Sequence, residues 1–238
     1  MKEQEIDGFM LDEQKATMLA AKLNSKMAEI EKKVHETFKP KWVDDKLVTP
    51  KLRKDGTISK VGLTNEEMRK CLRSNNLEPF MRQKWVTFNL ASRKQIGEYL
   101  IDFGWKPTKF TPTGQPIVDE TTLEKVKDIP EATLIAEFMM LQKRVAQVSS
   151  WLELSKDGRV HGFVIPNGAI TGRMTHRSPN VAQTPSSNKP YGKECRECWT
   201  VPEGYKLVGI DASGLELRVL AHYMKNEEYI NEIVNGDI

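Results

Sequence analysis

The sequence lacks long apolar runs and is poor in cysteine. Its 238 residues have a mean hydropathy of −0.53, and no apolar run approaches the roughly 18 residues that suggest a membrane-spanning helix. Residues 1–9 have neither the basic start nor the apolar stretch of a secretory signal. Three cysteines in a chain of this length argue against a disulfide framework. We therefore expect a soluble protein of a reducing cytoplasm, with no membrane partner.

The net charge is small, but the charges are unevenly distributed. The whole chain has 36 basic and 33 acidic residues, a net charge of +3. The segment 143–196 has nine basic and three acidic residues, a net charge of +6. Its arginines are interleaved with Asn, Gln and Thr, a mixture that suits phosphate contacts together with hydrogen bonds to base edges. The same composition also fits a solvated loop with scattered charges.

Apolar spacing predicts three helices. Asp12 is a good N-cap before a stripe that continues to about Glu36, and Ser92 begins a second helix. A third covers Glu131–Ser149, packed antiparallel to the first. Three prolines and a glycine predict a loop over Trp105–Pro116.

The segment Lys39–Lys60 interrupts this helical pattern. Two prolines and a glycine divide it, and seven basic residues outnumber three acidic ones. We therefore expect a basic, mobile insertion.

A two-residue period follows the third helix. Trp151–Leu154 and Arg159–Ile165 flank an Asp157-Gly158 pair, which is typical of a hairpin turn. Tyr205–Ile210 predicts a buried strand that runs into Asp211. The helix after it is expected to bury one side, formed by Leu215, Val219, Leu220 and Tyr223. A sheet that lacks some of its strands would expose an edge and an apolar face.

Asp211 is the main candidate for chemistry. A carboxylate at the end of a buried strand lies at the edge of a sheet, where a metal ion or a phosphate can reach it. Glu216 falls in the first turn of the next helix and faces the same space. The alternative is that Asp211 only caps that helix, which is a common role for aspartate at this place.

Together these segments resemble DNA polymerase family A, the DNA polymerase I group. Thr171-Gly172-Arg173 and Pro179–Pro185 resemble its primer–template-binding motif, and Asp211–Arg218 resembles its motif A. Asp7–Asp12 resembles the start of its polymerase domain. Two longer tracts are most similar to the replicative polymerases of short-tailed phages, Asn89–Asp119 and Leu141–Leu220.

The resemblance implies an α+β, mostly helical fold: the helical thumb and part of the antiparallel-sheet palm of a right-hand polymerase. The expected divisions are palm entry and first thumb helix (1–36), basic thumb insertion (37–88), thumb helices (89–150), and palm fragment (151–238).

The resemblance also implies roles for individual residues. Asp211 would be catalytic and would bind both Mg²⁺ ions, and the Ala212 carbonyl would contact one of them. Glu216 would be the steric gate that rejects ribonucleotides. Arg173 would hydrogen-bond the minor-groove edge of the primer-terminal pair. The other expected DNA contacts are Asn180, Gln183, Arg196, Lys143 and Arg144.

Several parts of the family pattern are missing from the sequence. It contains no His-Asp pair, which would supply the second catalytic aspartate, and no fingers helix with Arg, Lys and Tyr. We therefore expect half of a two-metal site and an isolated chain that is inactive. The chain would be part of a DNA-directed DNA polymerase that works with primer–template DNA and dNTP only when a separate C-terminal half joins it. One alternative is a non-catalytic duplex-DNA-binding module derived from a polymerase. Another is a fragment of a single-subunit RNA polymerase, which Glu216 disfavours.

Two weaker signals remain. Cys195 and Cys198 have C-x-x-C spacing, but zinc needs four ligands, and beyond this pair only Cys71 and four histidines remain. The insertion occupies the place where the phage polymerases bind a processivity factor, so a thioredoxin-like partner is one hypothesis, and a basic arm on duplex DNA is another. A phage-encoded protein would act in the host cytoplasm.

Overall fold

The computed structural model describes residues 2–74 and 77–236. The α-helices of this part of the chain are α1 (Lys2–Asp7), α2 (Glu13–Thr37), α3 (Asn65–Ser74), α4 (Arg93–Asp102), α5 (Glu120–Leu123), α6 (Pro130–Glu153), α7 (Gly192–Glu197), α8 (Leu215–Met224) and α9 (Glu227–Asn235). The strands are β1 (Phe9–Leu11), β2 (Lys41–Val48), β3 (Phe80–Val86), β4 (Ser155–Lys156), β5 (Arg159–Val160), β6 (Phe163–Ile165), β7 (Thr175–Arg177) and β8 (Trp199–Thr200). None of the helices described is long and apolar enough to cross a membrane.

A helical body forms the larger part of the fold. The long helices α2 and α6 pack against each other, and their buried side chains share one core with α4. The predicted caps are confirmed: the Asp12 side chain accepts a hydrogen bond from the Lys15 backbone N–H at 2.9 Å, and Ser92 caps α4. The mostly helical α+β fold expected from the sequence is therefore confirmed.

A small antiparallel sheet lies beside the body, in the order β4-β5-β1-β8. The predicted Asp157-Gly158 turn joins β4 to β5. The predicted strand Trp151–Leu154 is wrong, because α6 continues to Glu153 and Leu154 is its C-cap. Trp151 lies three residues after the buried Val148, so it continues the helical stripe, and its ring packs on Trp199 with centroids 4.9 Å apart.

The N-terminal segment is fastened to the hairpin that carries the candidate site. Gly8 has φ +63°, and a Cβ there would lie 2.8 Å from His161 Nδ1. The Glu5 carboxylate accepts a hydrogen bond from the Val164 backbone N–H at 2.8 Å. Arg159 donates to the Asp7 carbonyl oxygen at 3.1 Å. These contacts hold α1 and β1 against β5 and β6.

The insertion predicted to be mobile contains regular structure. β2 and β3 form an antiparallel hairpin with a bulge at Asp45, and α3 joins it through an Arg82–Glu67 ion pair. The sequence pattern misses this because the partner strand lies more than thirty residues away and charged residues interrupt the alternation in β2. Residues 75–76 of the insertion are outside the described part.

The predicted strand Tyr205–Ile210 is also wrong. The segment carries no ladder hydrogen bonds to any described strand, and Ile210 is 95% exposed. The predicted buried side of α8 is wrong as well, since its four side chains, Leu215, Val219, Leu220 and Tyr223, are exposed. The strand and the buried side of α8 are wrong for the same reason. Helix α9 packs on α8, but no described strand covers the segment Tyr205–Ile210 before α8. The predicted exposed apolar face is thus observed.

Candidate nucleic-acid interface and catalytic carboxylate

A short hairpin presents Arg173. β6 pairs with β7, with Phe163 opposite Arg177, and the connecting turn closes through a hydrogen bond from the Ala169 N–H to the Arg173 carbonyl at 3.1 Å. Gly168 permits this turn, because a Cβ there would lie 2.0 Å from Thr175 Oγ1. The guanidinium of Arg173 therefore stands at the end of a tight hairpin, 69% exposed.

The β6–β7 hairpin meets the segment that follows Tyr205–Ile210, the stretch without strand partners. Arg173 Nη2 forms an ion pair and hydrogen bond with Glu216 Oε1 in the first turn of α8. The two predicted constellations, some forty residues apart in sequence, are thus brought together at this pair. Both side chains remain exposed, and solvent screening limits an exposed ion pair to about 0–1 kcal/mol. A ligand can therefore replace either partner at small cost.

Asp211 lies five residues before Glu216 and is exposed. Its carboxylate makes no hydrogen bond or ion pair with any described residue. The N-cap of α8 is Gly214, at φ +58°, so the alternative that Asp211 caps this helix is not what the structure has. Arg218 donates from Nε to the Ser213 carbonyl at 2.9 Å and so fixes the turn between Asp211 and the helix.

Three long side chains hold the backbone of the loop 180–190. Gln147 on α6 donates to the Gln183 carbonyl at 2.8 Å, and Arg196 on α7 donates to the Pro185 carbonyl at 2.8 Å. Arg144 makes a longer hydrogen bond to the Pro190 carbonyl, 3.4 Å. Because backbone carbonyls take these donors, the loop is positioned by the basic residues that the sequence assigned to DNA.

The remaining predicted DNA contacts differ in their surroundings. Gln183, within this loop, is exposed. Asn180 is half-buried, and its Oδ1 has no hydrogen-bond partner. Lys143 forms an ion pair with Glu120 at 2.8 Å, so in this structure its ammonium group is held by a carboxylate on α5. Gln147 was missed by sequence reasoning, because nothing in its neighbourhood indicates a contact 36 residues away.

Asp211 and the Ala212 backbone offer oxygen donors suited to a metal ion, but two donors are too few for a complete site. Mg²⁺ prefers carboxylate and carbonyl oxygens, which Asp211 and the backbone of Ala212 offer. Among the described residues, however, no three His, Cys, Asp or Glu side chains are grouped as a metal site.

The C-x-x-C pair belongs to the core. Cys195 and Cys198 are both buried and free, and Cys198 donates from Sγ to the Glu194 carbonyl at 3.3 Å. Burial raises the pKa of both thiols, that of Cys198 to about 11. Such thiols stay protonated near neutral pH, which makes them poor metal ligands and poor nucleophiles.

Among the described residues, an arginine-bearing hairpin thus meets a segment that carries an exposed carboxylate. The family model for DNA polymerase family A matches residues 60–237, and the chain belongs to this family. It is 45% identical over 181 residues to the DNA-directed DNA polymerase of Enterobacteria phage T3, covering 67% of this chain and 26% of that protein.

Other relatives agree with this assignment. The DNA-directed DNA polymerase of Escherichia phage T7 is 36% identical, covering 99% of this chain and 40% of that protein. A solved structure, the POL domain of Pol1 from M. smegmatis in complex with DNA primer-template and dNTP, has a similar fold, with a TM-score of 0.69 at 20% identity, over 99% of this chain and 34% of that one. The chain thus spans between a quarter and two fifths of the phage relatives.

Proposed function

We propose that this chain supplies residues that hold the primer end, together with the first catalytic carboxylate, of a DNA-directed DNA polymerase that acts in phage DNA replication. The observation that carries the proposal is the contact between Arg173 and Glu216. It joins the hairpin suited to a DNA end with the segment that bears Asp211, as a polymerase active site requires.

Arg173 would bind the end of the primer. The N3 and O2 atoms of the minor groove are hydrogen-bond acceptors in every correct base pair, so an arginine donor there tests pair geometry without reading sequence. In the structure, the guanidinium pairs with Glu216. The pair is exposed, so DNA would release the Glu216 carboxylate to face the sugar of the incoming nucleotide, where it would crowd a 2′-hydroxyl.

The loop 180–190 would support the same duplex. Gln183 is exposed, so its amide can hydrogen-bond DNA directly. The Asn180 amide oxygen is buried and lacks a partner, so it would reach DNA only if the loop moved. Arg144 and Arg196 each have further guanidinium N–H groups beyond the one given to a loop carbonyl. We propose that they serve the loop and the primer phosphates together, and that Lys143 leaves Glu120 to contact a phosphate.

Asp211 and the Ala212 carbonyl would hold Mg²⁺ together with donors from a second polypeptide. When bound there, two such ions would supply activation of the attacking 3′-hydroxyl and charge stabilisation of the leaving pyrophosphate. Asp211 alone gives too few donors, because Mg²⁺ demands near-octahedral coordination. We therefore propose that the isolated chain does not extend primers and that a second polypeptide supplies the fingers and the other aspartate.

Primer extension by a mixture tests this proposal. The chain would be combined with a polypeptide covering the remaining polymerase residues of the phage T7 relative. We expect dNTP incorporation by the mixture, by neither part alone, and not by the mixture carrying Asp211→Asn. Asp157→Asn, in the β4–β5 turn, is the matched control and should leave extension unchanged. Extension that survives Asp211→Asn would contradict the proposed role.

The competing function is a duplex-DNA-binding module without catalysis. It is favoured by the absence, among the described residues, of any group of three His, Cys, Asp or Glu side chains that could hold a metal ion. Tight binding of a primer–template in the same mixture, with no incorporation at any Mg²⁺ concentration, would support it.

A processivity factor is the remaining proposal for the insertion 37–88. A thioredoxin-like protein is the candidate, by resemblance alone. Purified thioredoxin passed over the immobilised chain should be retained, and retention should be lost when the insertion is replaced by a short linker. Failure to retain it would remove this partner. The host cytoplasm remains the proposed location.

A further inference from the structure

Two tryptophans form an exposed pair on the hairpin β2–β3. Trp42 lies directly opposite Trp85, with ring centroids 5.5 Å apart, and the two side chains are 61% and 56% exposed. Residues opposite one another in a ladder share a face, and the bulge at Asp45 keeps Leu47 and Met81 on that face too. We call Trp42, Trp85, Leu47 and Met81 the tryptophan face.

Exposing the apolar surface of these side chains to water costs free energy, which a ligand that covers the tryptophan face would recover. Removing apolar surface from water is worth roughly 25 cal/mol per Å², and one tryptophan offers up to about 250 Å². Indole pairs in a cross-strand position usually help to bury a sheet, but the Trp42–Trp85 pair faces water over more than half of its surface. The observation therefore indicates a binding surface.

The net charge of the segment that carries this face favours a polyanion. Residues 39–86 have twelve basic and six acidic side chains, a net charge of +6. Within the described part, the ion pairs already engage four of the twelve, including Lys41 with Asp102 and Lys84 with Asp45. The basic residues that pair with no described carboxylate are Lys39, Lys46, Lys51, Arg53, Lys54, Lys60, Arg69 and Arg73.

The size of the face decides between classes of ligand. A stable protein interface uses roughly 20–30 residues a side, whereas this apolar stripe has four. Aromatic rings beside basic residues are what a single nucleic-acid strand needs, since each base stacks on a ring while the backbone follows the positive charge. Duplex DNA would not suit the rings, because its bases are already stacked. We propose that the tryptophan face binds unpaired DNA by stacking bases on Trp42 and Trp85.

The hairpin is anchored so that a bound strand stays close to the helical body. Lys41 forms an ion pair with Asp102 on α4 and lies over the Tyr99 ring, 4.2 Å from its centroid. The Tyr99 hydroxyl donates to the Lys39 carbonyl at 2.9 Å. The tryptophans lie next to this anchor, at the base of the hairpin. The inference goes beyond the proposed function and does not depend on it, because it concerns unpaired DNA and needs no catalysis.

Fluorescence anisotropy with labelled oligonucleotides tests the inference on the whole chain. The probes are a single-stranded dT oligonucleotide and an abasic oligonucleotide of the same length, which offers phosphates without bases. We expect the dT probe to bind about tenfold more tightly than the abasic one, and Trp42→Ala or Trp85→Ala to remove most of this difference, since base–aromatic stacking has about this effect when alanine replaces the ring. Trp42→Phe, which keeps a ring, should restore much of it.

Two further variants sharpen the test. Phe110→Ala removes an exposed ring far along the chain, in the loop before α5, and should change nothing. Asp44→Asn removes a negative charge between the two apolar pairs while its amide oxygen can still accept from Gln83 Nε2, now at 2.9 Å. It should tighten binding of both probes. Equal binding of dT and abasic probes by the wild-type chain, or unchanged dT binding by a folded Trp42→Ala/Trp85→Ala double variant, would overturn the proposal.

Discussion

The Arg82–Glu67 ion pair is expected to control how firmly α3 is held to the hairpin, and its contribution should depend on pH. Arg82 donates to Glu67 Oε1 at 2.7 Å and Oε2 at 2.5 Å, and the side chains are only 19% and 15% exposed. The Thr64 backbone N–H donates to the same carboxylate at 2.7 Å. These donors, Arg82 above all, lower the pKa of Glu67 from 4.5 to about 2.

The size and sign of the effect follow from that shift. A lowered pKa in the folded state means that ionised Glu67 stabilises the fold, and each pKa unit corresponds to about 1.4 kcal/mol. The shift gives about 3 kcal/mol as an upper value when the pH is well above 4.5. The contribution falls as the pH drops through 4.5, is about half as large at pH 3, and is nearly gone at pH 2.

Urea unfolding of Glu67→Gln measures this directly. At pH 7 the substitution should lower the free energy of unfolding by about 2–3 kcal/mol, and at pH 2 by less than about 1 kcal/mol. The matched control is Glu66→Gln on the same helix, whose 3.8 Å contact with Lys70 is fully exposed to solvent and should contribute under about 0.5 kcal/mol. A Glu67→Gln effect no larger than that of the control, or one that does not shrink at low pH, would refute the reasoning.

Three further predictions concern the packing around the site. Gly8→Ala should lower the free energy of unfolding by about 2 kcal/mol or more in urea titrations, because φ is +63° and the new Cβ would meet His161; an effect under about 0.5 kcal/mol would contradict the structure. Gly192→Ala would place a Cβ 1.9 Å from the Ser186 carbonyl, so limited proteolysis should cut the loop 180–190 faster, and unchanged cutting would count against that contact. Cys198, whose pKa is raised to about 11 by burial, should react with a thiol reagent at pH 8 only after unfolding; rapid reaction in the folded state would show that the thiol is accessible.

The sequence predicted the local elements well and the long-range pairings poorly. Asp12 and Ser92 mark their helices because a cap is a local hydrogen bond, and Asp157-Gly158 marks its turn because the backbone there needs a positive φ. The hairpin β2–β3 was missed because its strands meet only across a long connection. Tyr205–Ile210 has the composition of a buried strand, but composition does not supply the neighbouring strand that a ladder requires.

The candidate site could also be predicted from the sequence only in part. Its residue types came from the resemblance to a known family, and the structure adds which side chains meet. The Arg173–Glu216 pair and the hydrogen bonds of Gln147, Arg144 and Arg196 to loop carbonyls join residues far apart in sequence. Pattern and spacing carry no information on such contacts, because they arise from how the β6–β7 hairpin meets α8 and how α6 and α7 pack against the loop.

The most direct test of the central claim measures whether Arg173 reads the primer end. Binding of a primer–template would be compared for terminal guanine and for 3-deazaguanine, which lacks the minor-groove N3 acceptor, with the wild-type chain, Arg173→Ala and the control Arg177→Ala. We predict that the base change and Arg173→Ala each weaken binding about tenfold and that together they weaken it no further, whereas Arg177→Ala leaves the discrimination intact. Independent, additive losses, or no loss with Arg173→Ala, would contradict the claim that this hairpin holds the growing end of DNA.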